Sequence, residues 1–153
     1  MSKQDLNFNS NFIRNVDDIM RAAQLASCLE VCGHPKPGNV HRLRDFQDTR
    51  FEHFIAGSIA IGPAMRIAAL NGVKAASGEL GLSEIGVGSI IRRAVEEVKY
   101  WHKGGNTHLG IIILFTPLAA SAGFCIAKYG EIVANDLQKC FMNIVEATKI
   151  SDA

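Results

Sequence analysis

Residues 109–127, LGIIILFTPLAASAGFCIA, run for 19 positions without a charged side chain, about the length that crosses a bilayer as a helix. Thr116, Pro117, Ser121 and several alanines dilute the stretch, and no second span accompanies it. A helix apolar on all sides also suits the centre of a bundle. The expectation is therefore a long core helix of a protein with no membrane partner, bent at Pro117 and closed by Gly130 after Lys128 or Tyr129.

Working outward, KGGNTHLG at 103–110 breaks the pattern just before that helix, with Asn106 or Thr107 as its cap. Upstream, residues 84–103 form an amphipathic helix with Ser83-Glu84 as its start, after a glycine-rich connection at 74–81. Gly86 to Ser89, GVGS, is discounted as a nucleotide loop because no strand precedes it. Residues from about 50 to 72 read as another helix, broken or kinked at Ile61-Gly62 by Pro63. Its small residues from Ala56 to Gly62 let a neighbouring helix approach. A last amphipathic helix spans about 132–148.

At the other end, residues 1–12 read as a polar lead-in without the apolar core of a secretory signal. A first helix follows, capped by Asn15 and ending near Cys32, where Gly33 stops it. Few runs alternate with period two. The fold class is all-α: one domain over 1–153, a bundle of about five helices with a polar Pro/Gly loop after helix one and a long apolar central helix.

Sixteen Lys plus Arg stand against 15 Asp plus Glu, so the overall charge gives no nucleic-acid binder. Cys28, Cys32, Cys125 and Cys140 lack the paired spacing of a zinc ribbon or a disulfide framework. They read as reduced, packed thiols and the protein as cytoplasmic. The alternative for Cys28 and Cys32, on one helix face, is a metal shared with His34 or His41.

The loop itself, EVCGHPKPGNVHRLRDFQDTRFEHF at 30–54, holds the chemistry. Pro35 and Pro37 lack amide hydrogens and drive His34 and Lys36 out of helical geometry. Around them stand Lys36, Asn39, His41, Arg42, Arg44, Asp45 and Asp48, groups that bind phosphate, ligate a metal or move a proton. The helix start at Thr107 offers unpaired amides and a positive dipole end to phosphate oxygens. Lys36 adds a point charge there and Arg42 a bidentate fork. Glu30, Asp45, Asp48 and Glu52 flank the basic loop, where a divalent cation bridges carboxylates to phosphates. The structural alternative has Asp48 capping the helix at Thr49-Arg50 and Asp45 paired with Arg42 or Arg44. His41 and His53 are open between the two readings, and His102 beside Trp101 reads as structural.

EVCGHPKPGNVHR is similar to the motif of triphosphoribosyl-dephospho-CoA synthases, and GGNTHLGIIILFTPLAASAG resembles that family's second block, where Asn-Thr-His-Lys-Gly opens a long helix. The continuation HR-RDF-DT-FEHF and the IGP of helix two look like an archaeal branch. The resemblance implies a transferase that joins ATP and dephospho-CoA, a ribose hydroxyl attacking the anomeric carbon of ATP with release of adenine. Such glycosyl transfer needs a base, a way to stabilise oxocarbenium-like charge, help for the leaving base and a Mg2+ clamp. Position by position, Lys36, Gly38, Asn39 and Arg42 match the first block, and Asn106, Thr107 and His108 the second, as nucleotide-binding residues. Glu30, Asp45 and Asp48 are expected as catalytic, with Asp45 and Asp48 as metal ligands. His41 stands where the bacterial pattern has Asp, and Leu109 where that pattern has Lys.

The resemblance covers about residues 17–130, the front part of the family, whose second helical half carries a Gly-rich Ser-Pro-Gly-Gly block. The expectation is the N-terminal part of a larger helical enzyme, completed by a partner chain or by homo-oligomerisation. The alternative from another class is a non-catalytic helical nucleotide-binding or interaction module.

Overall fold

The helical periodicity resolves into six α-helices in the computed structural model, which describes residues 3–149 and Asp152, with side chains from Ile13 onward. They are α1 (Lys3–Cys32), α2 (Phe51–Ala60), α3 (Gly62–Ala76), α4 (Val87–Trp101), α5 (Leu109–Tyr129) and α6 (Ala134–Ala147), with a 3-10 turn at Leu82–Glu84. Among the described residues there is no strand, only an isolated bridge between His41 and Arg44.

Of the kink or break expected around Ile61-Gly62, the structure has the break, a junction at which α2 ends and α3 begins, so the helix read over 50–72 counts as two. Pro63 sits in the first turn of α3, where a missing amide hydrogen costs nothing. Ile61 N–H still donates to Gly57 O at 3.1 Å, and Met65 N–H to Ile61 O at 3.1 Å, so the two helices stay welded.

Three boundaries differ from expectation. Helix α1 begins at Lys3, so 3–12 is helical and Asn15 lies inside α1 and caps nothing. That lead-in contains no Gly or Pro, and nothing in it halts propagation from the packed part of the helix. Helix α3 continues past Gly72 to Ala76. Ser83-Glu84 falls in the 3-10 turn, and α4 starts only after Gly86 has taken φ 76°, a left-handed conformation that glycine adopts without penalty.

The reason Gly72 does not stop α3 is its position on the α5 crossing. A Cβ on Gly72 would run into the Ala120 carbonyl, and one on Gly123 into the Ala69 carbonyl. The two glycines thus bring the backbones of α3 and α5 together reciprocally, flanked by fully buried Ala64, Ala68, Ala69 and Ala120. Larger side chains close the core around this seam: Ile61, Met65, Ile85, Ile112 and Ile144 are all at most 1 % exposed. Each contributes about 1.5–3 kcal/mol of apolar burial.

Helix α5 is central, packing on α1, α3, α4 and α6, and it runs unbroken through Pro117. It is not apolar to the core on every side: Ile113 and Leu114 are 51 % and 52 % exposed. A second segment of spanning length exists, contrary to expectation, once α2 and α3 are counted together as Phe51–Ala76. By length and composition both segments suffice to cross a bilayer, and half of each apolar window is buried inside the bundle. All four cysteines are free. Cys125 and Cys140 face each other at 3.5 Å between α5 and α6, and burial, then the bond to Cys140, pushes the Cys125 thiol up to about 12.

Candidate functional site

The loop after α1 is built by local hydrogen bonds that the prolines make necessary. Gly33 N–H returns to Glu30 O at 3.2 Å to end the helix. The His34–Pro35 peptide is cis, and Gly38 takes φ 74°. Asn39 closes the turn, its N–H on Lys36 O at 3.3 Å and its Oδ1 accepting Val40 N–H at 2.8 Å. Buried Val40 anchors the loop to the bundle. His41 and Arg44 then exchange backbone bonds of 3.1 and 2.9 Å.

Within that frame Lys36 folds back on the end of α1, its ammonium donating to Glu30 O at 3.3 Å and pairing with the Glu30 carboxylate. Asp45, not Asp48, caps α2: Phe51 N–H donates to Asp45 Oδ1 at 2.8 Å. The cause is a turn closed by Phe46 N–H on Thr49 O at 2.8 Å, which carries Asp45 over the first turn of the helix. Neither Asp45 nor Asp48 forms an ion pair with Arg42 or Arg44 among the described residues. His41 packs edge-on against His34 at 4.9 Å. Burial first, and then the charges of His34, Arg44, Lys36 and Arg42, hold its pKa below the usual histidine range.

The second block is ordered by a line of buried polar groups. Gly104 N–H donates to His102 Nδ1 at 3.0 Å, so the neutral ring carries its proton on Nε2 and donates it to Thr107 Oγ1 at 3.1 Å. The threonine hydroxyl is then free to donate to His108 Nδ1 at 2.6 Å. His108 Nε2–H donates in turn to Ser58 Oγ at 3.2 Å, which passes its own proton to Phe54 O at 2.8 Å and lies 2.9 Å from Ser27 Oγ. One direction of donation satisfies every member, and no buried side-chain polar atom among the described residues lacks a partner.

Five residues from α1, α2 and the connection between α4 and α5 thus meet in one network. Gly57 makes room for it, since a Cβ there would overlap the His108 ring. His53 stacks on His102 at 5.3 Å. The charge-poor surroundings set the protonation states. Burial, then His102, bring the His108 pKa from 6.5 to about 4 against the raising influence of Glu30 and the Phe54 carbonyl. Burial and then His53 lower that of His102.

The two loops expected to share a site are neighbours. Thr49 Oγ1 donates to Gly104 O at 3.0 Å, and the charge of Glu30, whose carboxylate holds Lys36, favours the His108 cation against the stronger effect of burial. His108 holds the N-cap position of α5, where Asn106 or Thr107 was expected, and Asn106 caps the helix from two residues further back, its Oδ1 accepting Leu109 N–H at 3.2 Å. His108, expected to contact a ligand, is 1 % exposed with both ring nitrogens bonded to protein. It shapes the Asn106-Thr107 turn and has no nitrogen left to offer a ligand.

Sequence reasoning missed Ser27, Gly57, Ser58 and the bonding role of His102. No local spacing links positions 27, 58 and 108, which only the tertiary packing brings together. No three His, Cys, Asp or Glu among the described residues converge as a metal group, which leaves Cys28 and Cys32 without the metal partners considered for them. Between α4 and α5 a pocket of about 210 Å3 opens beside the Asn106 turn.

The family model described as CitG, ATP:dephospho-CoA triphosphoribosyl transferase, matches residues 16–153, a span that takes in both loops and every helix from most of α1 onward. No curated protein and no solved structure matches the chain.

Proposed function

Because the chain belongs to the ATP:dephospho-CoA triphosphoribosyl transferase family, we propose that it binds the triphosphate of ATP between Lys36, Arg42 and the start of α5, and moves the triphosphoribosyl group to a dephospho-CoA-like acceptor with release of adenine. The observation that supports this reading is the contact between the two segments, Thr49 Oγ1 on Gly104 O at 3.0 Å, which ties the end of the first loop to the turn before α5. Asn106 and Thr107 lie where the α5 dipole favours anions, and Gly38 and Asn39 shape the opposite turn.

In this reading Glu30 and Lys36 work as a pair. The pair is only partly screened from water, with side chains 43 % and 20 % exposed. A triphosphate arriving at Lys36 competes for the ammonium and frees the Glu30 carboxylate. Glu30 is then the base that takes the proton from the attacking ribose hydroxyl. Asp45 keeps Oδ2 free after capping α2, and Asp45 and Asp48 are the carboxylates that would hold Mg2+, an ion that needs only one or two of them when phosphate is present. Bound there, the ion would supply charge neutralisation for the triphosphate. The reading carries a cytoplasmic location with it, as the reduced thiols suggest.

A second reading, nucleotide binding without turnover, is favoured by the closed Glu30–Lys36 pair and by Leu109 where the bacterial pattern that the second block resembles has a lysine. One experiment separates them. The chain is incubated with ATP, Mg2+ and dephospho-CoA, and free adenine is measured. Adenine release that is lost in Lys36→Ala supports transfer. ATP binding lost in Lys36→Ala without adenine from the parent chain supports the binding module, and no ATP binding at all sinks both.

A further inference from the structure

The pocket beside the Asn106 turn has a shape that the phosphate-binding reading does not use. Its volume of about 210 Å3 is below the roughly 300–1,000 Å3 of clefts that take a drug-sized ligand, so it admits one small ring system and not a whole nucleotide. Its walls come from two helices, Val95 and Val98 on α4 and Leu109 and Ile112 on α5. Lys99 on α4 and Asn106 before α5 add polar groups to the lining, and the Asn106 carboxamide accepts Leu109 N–H at Oδ1 while its Nδ2 makes no hydrogen bond among the described residues. Apolar walls with a few polar groups suit a flat heteroaromatic ring, whose faces are apolar and whose edge carries hydrogen-bonding nitrogens.

His108 forms part of the pocket's lining, and Thr49 Oγ1 on Gly104 O at 3.0 Å ties the first loop to the same turn. The pocket thus adjoins the turn proposed above for the triphosphate. The geometry points to this pocket between α4 and α5 as the seat of the adenine base of ATP. This inference rests on the nucleotide site proposed above. It adds that the leaving base is held by apolar walls and released into a separate compartment from the phosphates.

The test uses the full chain and two probes that divide ATP: adenosine, which has base and sugar, and inorganic tripolyphosphate, which has neither. In methyl and amide NMR of the parent chain, adenosine should shift the Val95, Leu109 and Ile112 methyls, whereas tripolyphosphate should shift the Asn106 and Thr107 amides. Val95→Phe, which fills the pocket from a partly exposed wall, should weaken adenosine at least tenfold and leave tripolyphosphate within twofold. Adenosine that shifts no methyl, or only methyls elsewhere, overturns the inference, as does unchanged adenosine affinity in a folded Val95→Phe. If that variant does not fold, the parent-chain methyl shifts decide. Dephospho-CoA that shifts these methyls more strongly than ATP at equal concentration assigns the pocket to the acceptor and also overturns it. Amides that ignore tripolyphosphate sink the triphosphate site alone, and the adenosine arm still judges the pocket.

Discussion

Thr107 Oγ1 stands 2.6 Å from His108 Nδ1, and 3.1 Å from His102 Nε2, so a single hydroxyl joins two imidazoles on either side of the turn that opens α5. Removing it leaves two ring nitrogens without partners, one of them on a ring that is 1 % exposed. An unpaired buried polar group costs about 1–3 kcal/mol. Thr107→Val is therefore expected to lower the urea unfolding free energy by that amount, while Thr107→Ser, which keeps the oxygen, loses only a fraction of it. Equal losses in the two variants would mean that the methyl, not the hydroxyl, holds the turn.

The same network makes stability depend on pH in a direction fixed by its chemistry. His108 titrates near 6.5 when unfolded and about 4 when folded, because burial and His102 disfavour its cation more than Glu30 favours it. Between those values the unfolded chain binds the proton and the folded chain does not, so stability rises with pH. The contribution is fully present above about pH 6.5 and is lost as pH falls through 4. Melting temperature should therefore drop as pH is lowered across that window. His108→Gln should flatten this part of the profile, whatever it does to stability at pH 8. A variant with an undiminished slope would assign the acid sensitivity to other groups.

Much of the architecture was legible because helix punctuation is local. Gly33 ends α1, Pro63 marks the α2–α3 junction, Asn106 caps α5 and Gly130 closes it, and each acts on its own backbone within a few residues. Gly72 was misread for the opposite reason. Its role is set by Ala120, on another helix, and a glycine at a helix crossing looks the same in sequence as a glycine at a helix end. The site divides along the same line. The two loops and their phosphate-binding side chains stand out as polar interruptions, whereas the capping choice between Asp45 and Asp48 depends on a four-residue turn. The network from Ser27 through Ser58 to His108 has no sequence signature, because each member on its own is an ordinary core serine or histidine.

The α3–α5 seam gives a stability prediction independent of the site. A methyl added at Gly72 or Gly123 meets a backbone carbonyl and not the end of a flexible side chain, so the helices must separate along their length. Overpacking of a close-packed core typically costs about 1–3 kcal/mol and sometimes more, and here it outweighs the roughly 1 kcal/mol that Ala gains over Gly in helix propensity. Gly72→Ala and Gly123→Ala should each lower the thermal midpoint. Gly110→Ala, where a Cβ meets nothing within 4 Å, should raise it or leave it unchanged. A stabilising Gly123→Ala would mean that the two backbones do not touch there.

The Glu30–Lys36 pair separates a binding role from a structural one. Both side chains are part-exposed, and ion pairs of this kind contribute only about 0–1 kcal/mol to folding. Lys36→Met should therefore leave the unfolding free energy nearly unchanged while weakening ATP binding at least tenfold, the loss of one charge-assisted phosphate contact. Glu30→Gln acts in the opposite sense on binding. It frees the ammonium from its carboxylate, so ATP affinity should hold or rise, while any adenine release that depends on a carboxylate base should fall at least a hundredfold. Isothermal titration with ATP and Mg2+ reads the first effect, and adenine release reads the second. Should Glu30→Gln weaken ATP binding as much as Lys36→Met, the carboxylate orients the lysine toward phosphate instead of restraining it, and the base must be sought at Asp45 or Asp48.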